Sequence, residues 1–136
     1  MANKKIEEVE GIGPAIGEKL RGAGVKDSDS LLAASCTPKQ RKELAEKSGL
    51  SEKQILKFAN MVDLFRITGI GAEYAELLEV SGVDTVPALA RRNAANLATS
   101  LGEVNEQKKL TRRVPSASEV EKWIAQAKDL PRMLEY

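Results

Sequence analysis

The 136-residue chain contains no histidine and a single cysteine, Cys36. The first absence removes the commonest general base, imidazole metal ligation and every Ser-His or Cys-His arrangement. The second excludes an intrachain disulfide and a cysteine-based zinc site. Cys36 follows the apolar run Leu31-Leu32-Ala33-Ala34 and reads as a small packing residue rather than a nucleophile. Aromatic residues are scarce, two Phe, two Tyr and one Trp, so a core must come mostly from Leu, Ile, Val and Ala. No apolar run reaches membrane-spanning length, and Met1-Ala2-Asn3-Lys4-Lys5-Ile6-Glu7-Glu8 lacks the apolar segment of a signal peptide. A cytoplasmic protein with no membrane partner is expected. An excess of one charge is lacking too: 21 basic and 20 acidic side chains leave +1. That balance argues against a histone-like binder, whose footprint is a large basic excess.

What is present is a repeat. Gly11-Ile12-Gly13 recurs as Gly69-Ile70-Gly71, and at the same offset Glu18 pairs with Glu76, Leu20 with Leu78, Gly24-Val25 with Gly82-Val83 and Leu31 with Leu89. Later the register slips: Leu44-Ala45 matches Leu97-Ala98, and Lys57-Phe58 matches Lys122-Trp123. Extra residues in the second copy therefore fall between Gly102 and Ser116. Two related units are expected, 1–65 and 66–136.

Between the turns the chain reads helical. Thr37-Pro38-Lys39-Gln40 sets a Thr cap before a first-turn proline and a third-position Gln, a helix start. Ser51-Glu52-Lys53-Gln54 and Ser116-Ala117-Ser118-Glu119 are capping-box patterns opening apolar stripes of helical period. Gly24, Gly49 and Gly82 read as helix stops. No alternating run is long enough for a strand, so the expected fold is all-α. Phe58 and Trp123 fall at matching positions of two such stripes and read as core rather than as base-stacking platforms.

The most informative stretch is Ile6-x-x-Val9-x-Gly11-Ile12-Gly13-Pro14-x-Ile16-Gly17-x-x-Leu20. Two glycines flank a buried Ile and lead into a helix with proline in its first turn. Such a turn leaves backbone N–H groups unpaired at the positive end of a helix dipole, an arrangement suited to phosphate. These residues, and Thr68-Gly69-Ile70-Gly71-x-x-Tyr74-Ala75, resemble the helix-hairpin-helix motif, which grips nucleic-acid backbone without reading sequence. The tandem as a whole, with Thr85-Val86-Pro87-Ala88-Leu89-Ala90 and Val120-Glu121-Lys122-Trp123-Ile124, resembles the bacterial DUF4332 family of two-hairpin proteins. The resemblance implies two tandem helix-hairpin-helix repeats, each a SAM-like helical bundle, with no sheet.

Charge separates the two turns. Hairpins of this kind usually carry Lys or Arg just after the second glycine, where this chain has Pro14, Ala15 and Ile16. The nearest cations of the first unit are Lys19 and Arg21, with Lys4 and Lys5 on the preceding segment. From Ile67 to Pro87 there are four acids and no base, which would repel phosphate at short range. The second turn is therefore expected only to pack helices, while for the first both a phosphate and a packing role stay open. Between Ala88 and Arg113 the balance reverses to +4, with Arg91, Arg92, Arg112 and Arg113 as a second candidate patch.

Two other readings carry less. Leu44-Ala45-Glu46-Lys47-Ser48-Gly49-Leu50-Ser51-x-x-x-Ile55 resembles a helix-turn-helix signature, with Gln54 able to read adenine, yet Glu52 sits beside it and the second unit does not keep the spacing. A metal-dependent nuclease needs converging carboxylates, and only Glu7, Glu8 and Glu10 cluster, flanking the turn like exposed helix charges. No enzyme, metal or cofactor is expected. The expectation is a non-catalytic module that binds DNA backbone through Gly11, Ile12, Gly13, Lys19, Arg21 and the four arginines. The alternative is a protein-interaction or scaffolding domain in which the hairpins are purely structural.

Overall fold

Helix starts are encoded locally, and the computed structural model, which describes residues 3–135, shows how. Thr37 accepts from the Gln40 amide and receives the Gln40 side chain in return, opening Pro38–Ser48. Ser51 and Gln54 exchange the same pair of bonds before Glu52–Leu64, and Ser116 and Glu119 do so before Ala117–Asp129. Each reciprocal pair satisfies two backbone groups that a helix end otherwise leaves open. Gly24, Gly49 and Gly82 take φ of 92°, 78° and 92°, and the chain leaves the helical path there.

The resulting order is a short 3-10 turn, Ile6–Glu8, followed by α1 (Pro14–Gly22), α2 (Ser28–Ala33), α3 (Pro38–Ser48), α4 (Glu52–Leu64), α5 (Ala72–Val80), α6 (Val86–Ala90), α7 (Ala94–Lys108) and α8 (Ala117–Asp129). The fold is all-α. Among the described residues there is no strand, only an isolated antiparallel bridge between Lys5 and Asp27. Among them, too, no helix is long and apolar enough to cross a membrane.

The chain divides into two compact units, one of residues 3–63 together with 132–135, the other running from Leu64 to Pro131. In the first, α1 packs on α3 and on the 3-10 turn. Its entry segment is stitched to α2: the Lys4 amide donates to Ser28 Oγ and the Ser28 amide to Lys4 O, both at 2.8 Å. Leu20, Leu31 and Ile55 are fully buried, each contributing roughly 1.5–3 kcal/mol of hydrophobic stabilisation. Arg41 is also buried, and its guanidinium donates to the carbonyls of Ser35, Cys36 and Glu135. A buried cation is costly unless its donors are used in this way.

In the second unit, α8 packs on α6 and α7, and α5 packs on α7. Leu77, Leu78, Leu89, Leu97 and Leu101 are fully buried, with Trp123 beside them at 3% exposure. The extra residues lie where the sequence register predicts. Helix α7 has 15 residues where α3 has 11, and it is followed by a loop over 109–116. The buried Asn105 side chain holds that loop: it donates to Thr111 O at 3.1 Å and accepts from the Thr111 amide at 2.9 Å. Lys109, left-handed at φ 52°, turns the chain out of α7.

Candidate nucleic-acid interface

The two glycine turns are built alike. In the first, the Ile12 amide closes on Val9 O at 3.0 Å, and in the second the Ile70 amide closes on Ile67 O at 3.1 Å. Ile12 and Ile70 are 4% and 3% exposed, so each anchors its turn in the core. Gly11 and Gly69 have φ of 91° and 100°, a region that disfavours any residue with a Cβ. Gly13 and Gly71 are extended caps with no side-chain hydrogen bond. The first helical bonds come from Gly17 to Gly13 O and from Ala75 to Gly71 O. Ahead of them the amides of Ala15 and Ile16, and of Ala72, Glu73 and Tyr74, make no hydrogen bond among the described residues. Open amides at a helix start carry partial positive charge. Of the three residues read as an amide nest, Ile12 therefore spends its own N–H inside the turn, and the open donors lie just past Pro14.

Each turn rests on an aromatic ring. A Cβ placed on Gly11 would lie 3.3 Å from Phe58 Cε1, and one on Gly69 would lie 2.9 Å from Trp123 Nε1. Phe58 and Trp123 are 4% and 3% exposed, so both are core and neither offers a face for base stacking. Trp123 also meets the Tyr74 ring at 5.4 Å between centroids, tilted by 52°. The second turn has a further tie that sequence reading missed. Gln126 of α8 accepts from the Thr68 amide at 2.9 Å and donates to Thr68 O at 3.3 Å.

The cations are distributed unevenly. Lys19 is exposed, in the last turn of α1. Arg21 shares that turn but is ion-paired with Glu7, whose side chain crosses α1 over Gly17, where a Cβ would meet Glu7 Oε1 at 2.6 Å. Arg91 and Arg92 sit at the end of α6. Arg112 and Arg113 stand elsewhere: with Gly69, Gly71, Glu73 and Tyr74 they line an open concavity of about 390 Å³. The four arginines therefore do not converge on this hollow, which takes only the last pair.

Within the concavity the two arginines differ. Arg113 binds Glu119 through both nitrogens, at 2.6 and 2.8 Å, and its backbone carbonyl accepts from the Tyr74 hydroxyl at 3.1 Å. That hydrogen-bonded pair, helped by the Ser116 amide, holds the Glu119 carboxyl down to about 2 and pushes the Arg113 pKa up. Arg112 is exposed, and its side chain makes no hydrogen bond or ion pair among the described residues. Glu73, in the first turn of α5, offsets part of that positive charge.

The helix-turn-helix residues are used differently. Gln54 Oε1 accepts from the Ser51 amide at 3.1 Å, so the side chain suited to reading adenine caps α4 instead. Among the described residues, no three acidic, cysteine or histidine side chains gather as a group able to hold a metal ion.

Two helical units, each entered through a ring-backed glycine turn, define the class of this chain. A family model described as "Domain of unknown function (DUF4332)" matches residues 10–130, and the chain belongs to that family. No curated protein and no solved structure matches it.

Proposed function

We propose that the chain is a non-catalytic module of two tandem helix-hairpin-helix repeats that binds nucleic-acid backbone weakly and without sequence preference. The observation that carries this reading is the hollow at the second turn. The uncapped start of α5 and the uncommitted Arg112 line one concavity, so backbone amides and a guanidinium are available to the same phosphate. The first turn offers its open amides with Lys19 further along α1, which supports a weaker contact. Neither site offers a pattern of side chains that would tell one base from another.

A second reading, a protein-interaction or scaffolding domain with purely structural hairpins, is favoured by the ion pairs. Arg21 and Arg113 are each bound to a carboxylate, and rings fill both turns from beneath. Titration of a labelled DNA duplex at low and moderate salt separates the two. Backbone binding predicts affinity at the loose end of non-specific association, on the order of 10⁻⁴–10⁻⁶ M, falling steeply with salt. Arg112→Glu should weaken it most, and Lys19→Glu with Arg21→Glu to a lesser extent. Absence of binding at low salt with protein raised to about 500 μM, above the loosest non-specific affinity, would discard this reading and leave the second.

A further inference from the structure

The second unit carries an addition that the first lacks, and the addition is cationic. In register Gly49 matches Gly102, yet α3 is capped by Gly49 while α7 runs through Gly102 to Lys108. Residues 108–113 read Lys-Lys-Leu-Thr-Arg-Arg, and all four cations are exposed. Arg113 is bound to Glu119. The side chains of Lys108, Lys109 and Arg112 make no hydrogen bond or ion pair among the described residues, and neither does that of Glu106, the nearest acid along the chain. The backbone beneath these cations is pinned. The buried Asn105 side chain bonds both main-chain groups of Thr111, and Arg113 O accepts from the Thr111 and Tyr74 hydroxyls at 2.9 and 3.1 Å.

Lys109 is the informative member. Among the described residues it is the only non-glycine with positive φ, 52°, and it ends α7. Helix α3 ends instead on Gly49 at 78°, the residue type for which a left-handed cap is least costly. A cation at a helix end eases the helix dipole, but Lys108 in the last turn already supplies one. Lysine at the left-handed position therefore carries a conformational cost that glycine avoids, and an outlier of this kind points to use of its side chain. We propose that Lys108 and Lys109, together with Arg112, form a fixed cationic ridge that contacts neighbouring phosphates of a nucleic-acid backbone. The ridge, rather than the first hairpin, is then the main contact. It rests on the proposed backbone binding and adds two lysines that the hairpin motif does not mark. Each phosphate contact releases counterions, and charges on a pinned loop lose little freedom on binding.

Lys109→Gly separates a binding role from a folding one in the full chain. Its unfolding midpoint should hold or rise, while the slope of log duplex affinity against log salt drops by about one. Lys108→Gln with Lys109→Gly should weaken duplex binding at low salt about tenfold or more and lower the slope by about two. Lys122→Gln with Lys128→Gln removes the same charge from exposed positions of α8 and should leave the slope unchanged. In the unmodified chain, bound duplex should slow acetylation of the Lys108 and Lys109 amines several-fold more than that of Lys122 and Lys128. Duplex binding that survives the Lys108 and Lys109 changes, falls equally with the α8 pair, or gives those two amines no selective protection overturns the ridge and leaves backbone binding standing. A lowered midpoint in Lys109→Gly makes that lysine part of the fold and also overturns it. No binding by the unmodified chain at low salt and about 500 μM protein overturns the ridge and backbone binding together.

Discussion

Replacing Gly69 with alanine puts the ring-backed turn under direct test. The backbone there has φ 100°, where an L-residue pays roughly 1–2 kcal/mol. The new methyl would also lie 2.9 Å from Trp123 Nε1, closer than real Cβ atoms come to their neighbours. Trp123 is almost completely buried, so the ring must shift within a packed core, which costs about 1–3 kcal/mol. Together these give a loss of roughly 2–5 kcal/mol for the second unit. Trp123 is the only tryptophan and sits at the perturbed contact, so its fluorescence reports the unfolding of that unit. In a unit of this size 1 kcal/mol corresponds to about 4–8 °C, and the fluorescence midpoint should fall by about 8 °C or more. Gly102→Ala supplies the control. Gly102 lies within α7 and its added methyl would meet only Val114 at 3.8 Å, so it should be neutral or stabilising by up to about 1 kcal/mol. A Gly69→Ala chain with unaltered Trp123 emission and midpoint would refute the idea that the ring and the left-handed glycine together hold the turn.

Other perturbations follow from the same geometry. Asn105→Ala strands the amide and carbonyl of the buried Thr111, at a cost of about 1–3 kcal/mol for a buried unsatisfied group. Calorimetry should show the loss, and amide spectra should show the 109–116 loop released. Glu7→Gln frees Arg21 from its ion pair; if backbone binding is the function, duplex affinity should rise severalfold at most, the scale of an exposed pair, whereas a purely structural role predicts no change. Acid sensitivity has a defined direction. Asp27, held by the Ser30 hydroxyl and amide and by Asn3, and Glu119, held by Arg113 and Ser116, both titrate near 2 in the folded chain. Unfolded carboxylates titrate at about 4. A depressed folded value contributes stability in full above the unfolded value and loses it as pH falls toward 2. The unfolding midpoint should therefore decline between about pH 4 and pH 2, and carboxyl NMR in Ser30→Ala should show Asp27 moved back up.

Much of the fold was legible because its signals are local. The capping boxes at Thr37, Ser51 and Ser116, the helix-ending glycines and the spacing of leucines each act within one or two turns of chain. The pairing of Phe58 with Trp123 could be read from the repeat alone, although not the fact that each ring underlies a glycine of its own unit. Contacts that depend on the return of distant chain were not legible. Nothing near Arg41 announces that its guanidinium is buried against the carbonyl of Glu135, because an arginine in a polar stretch of helix reads as a solvated charge. Gln126 gives no sign that it ties down Thr68. The Arg21–Glu7 pair, joining α1 to the preceding 3-10 turn, was hidden because helical spacing does not extend across a glycine turn.

The charge of a turn is a property of what packs beside it, and here that reverses the emphasis between the two units. Counted along the chain, the second turn lies in a stretch of four acids and no base, while the first has Lys19 and Arg21 nearby. In space the first loses Arg21 to Glu7, and the second gains Arg112 and Arg113 from the loop that follows α7. That loop exists because of the residues that distinguish the second unit from the first, and Asn105 fixes its path through Thr111. Glu119 then removes Arg113 from contention and leaves Arg112 facing the hollow as the uncommitted cation there. An acidic segment can in this way have cations beside its helix start, because the field there depends on what distant chain brings to the hollow, Arg112 and Arg113 here, as well as on Glu73 in the first turn of the same helix. The proposed backbone binding is therefore tested first by removing Arg112, in the unit whose hairpin segment carries four acids and no base.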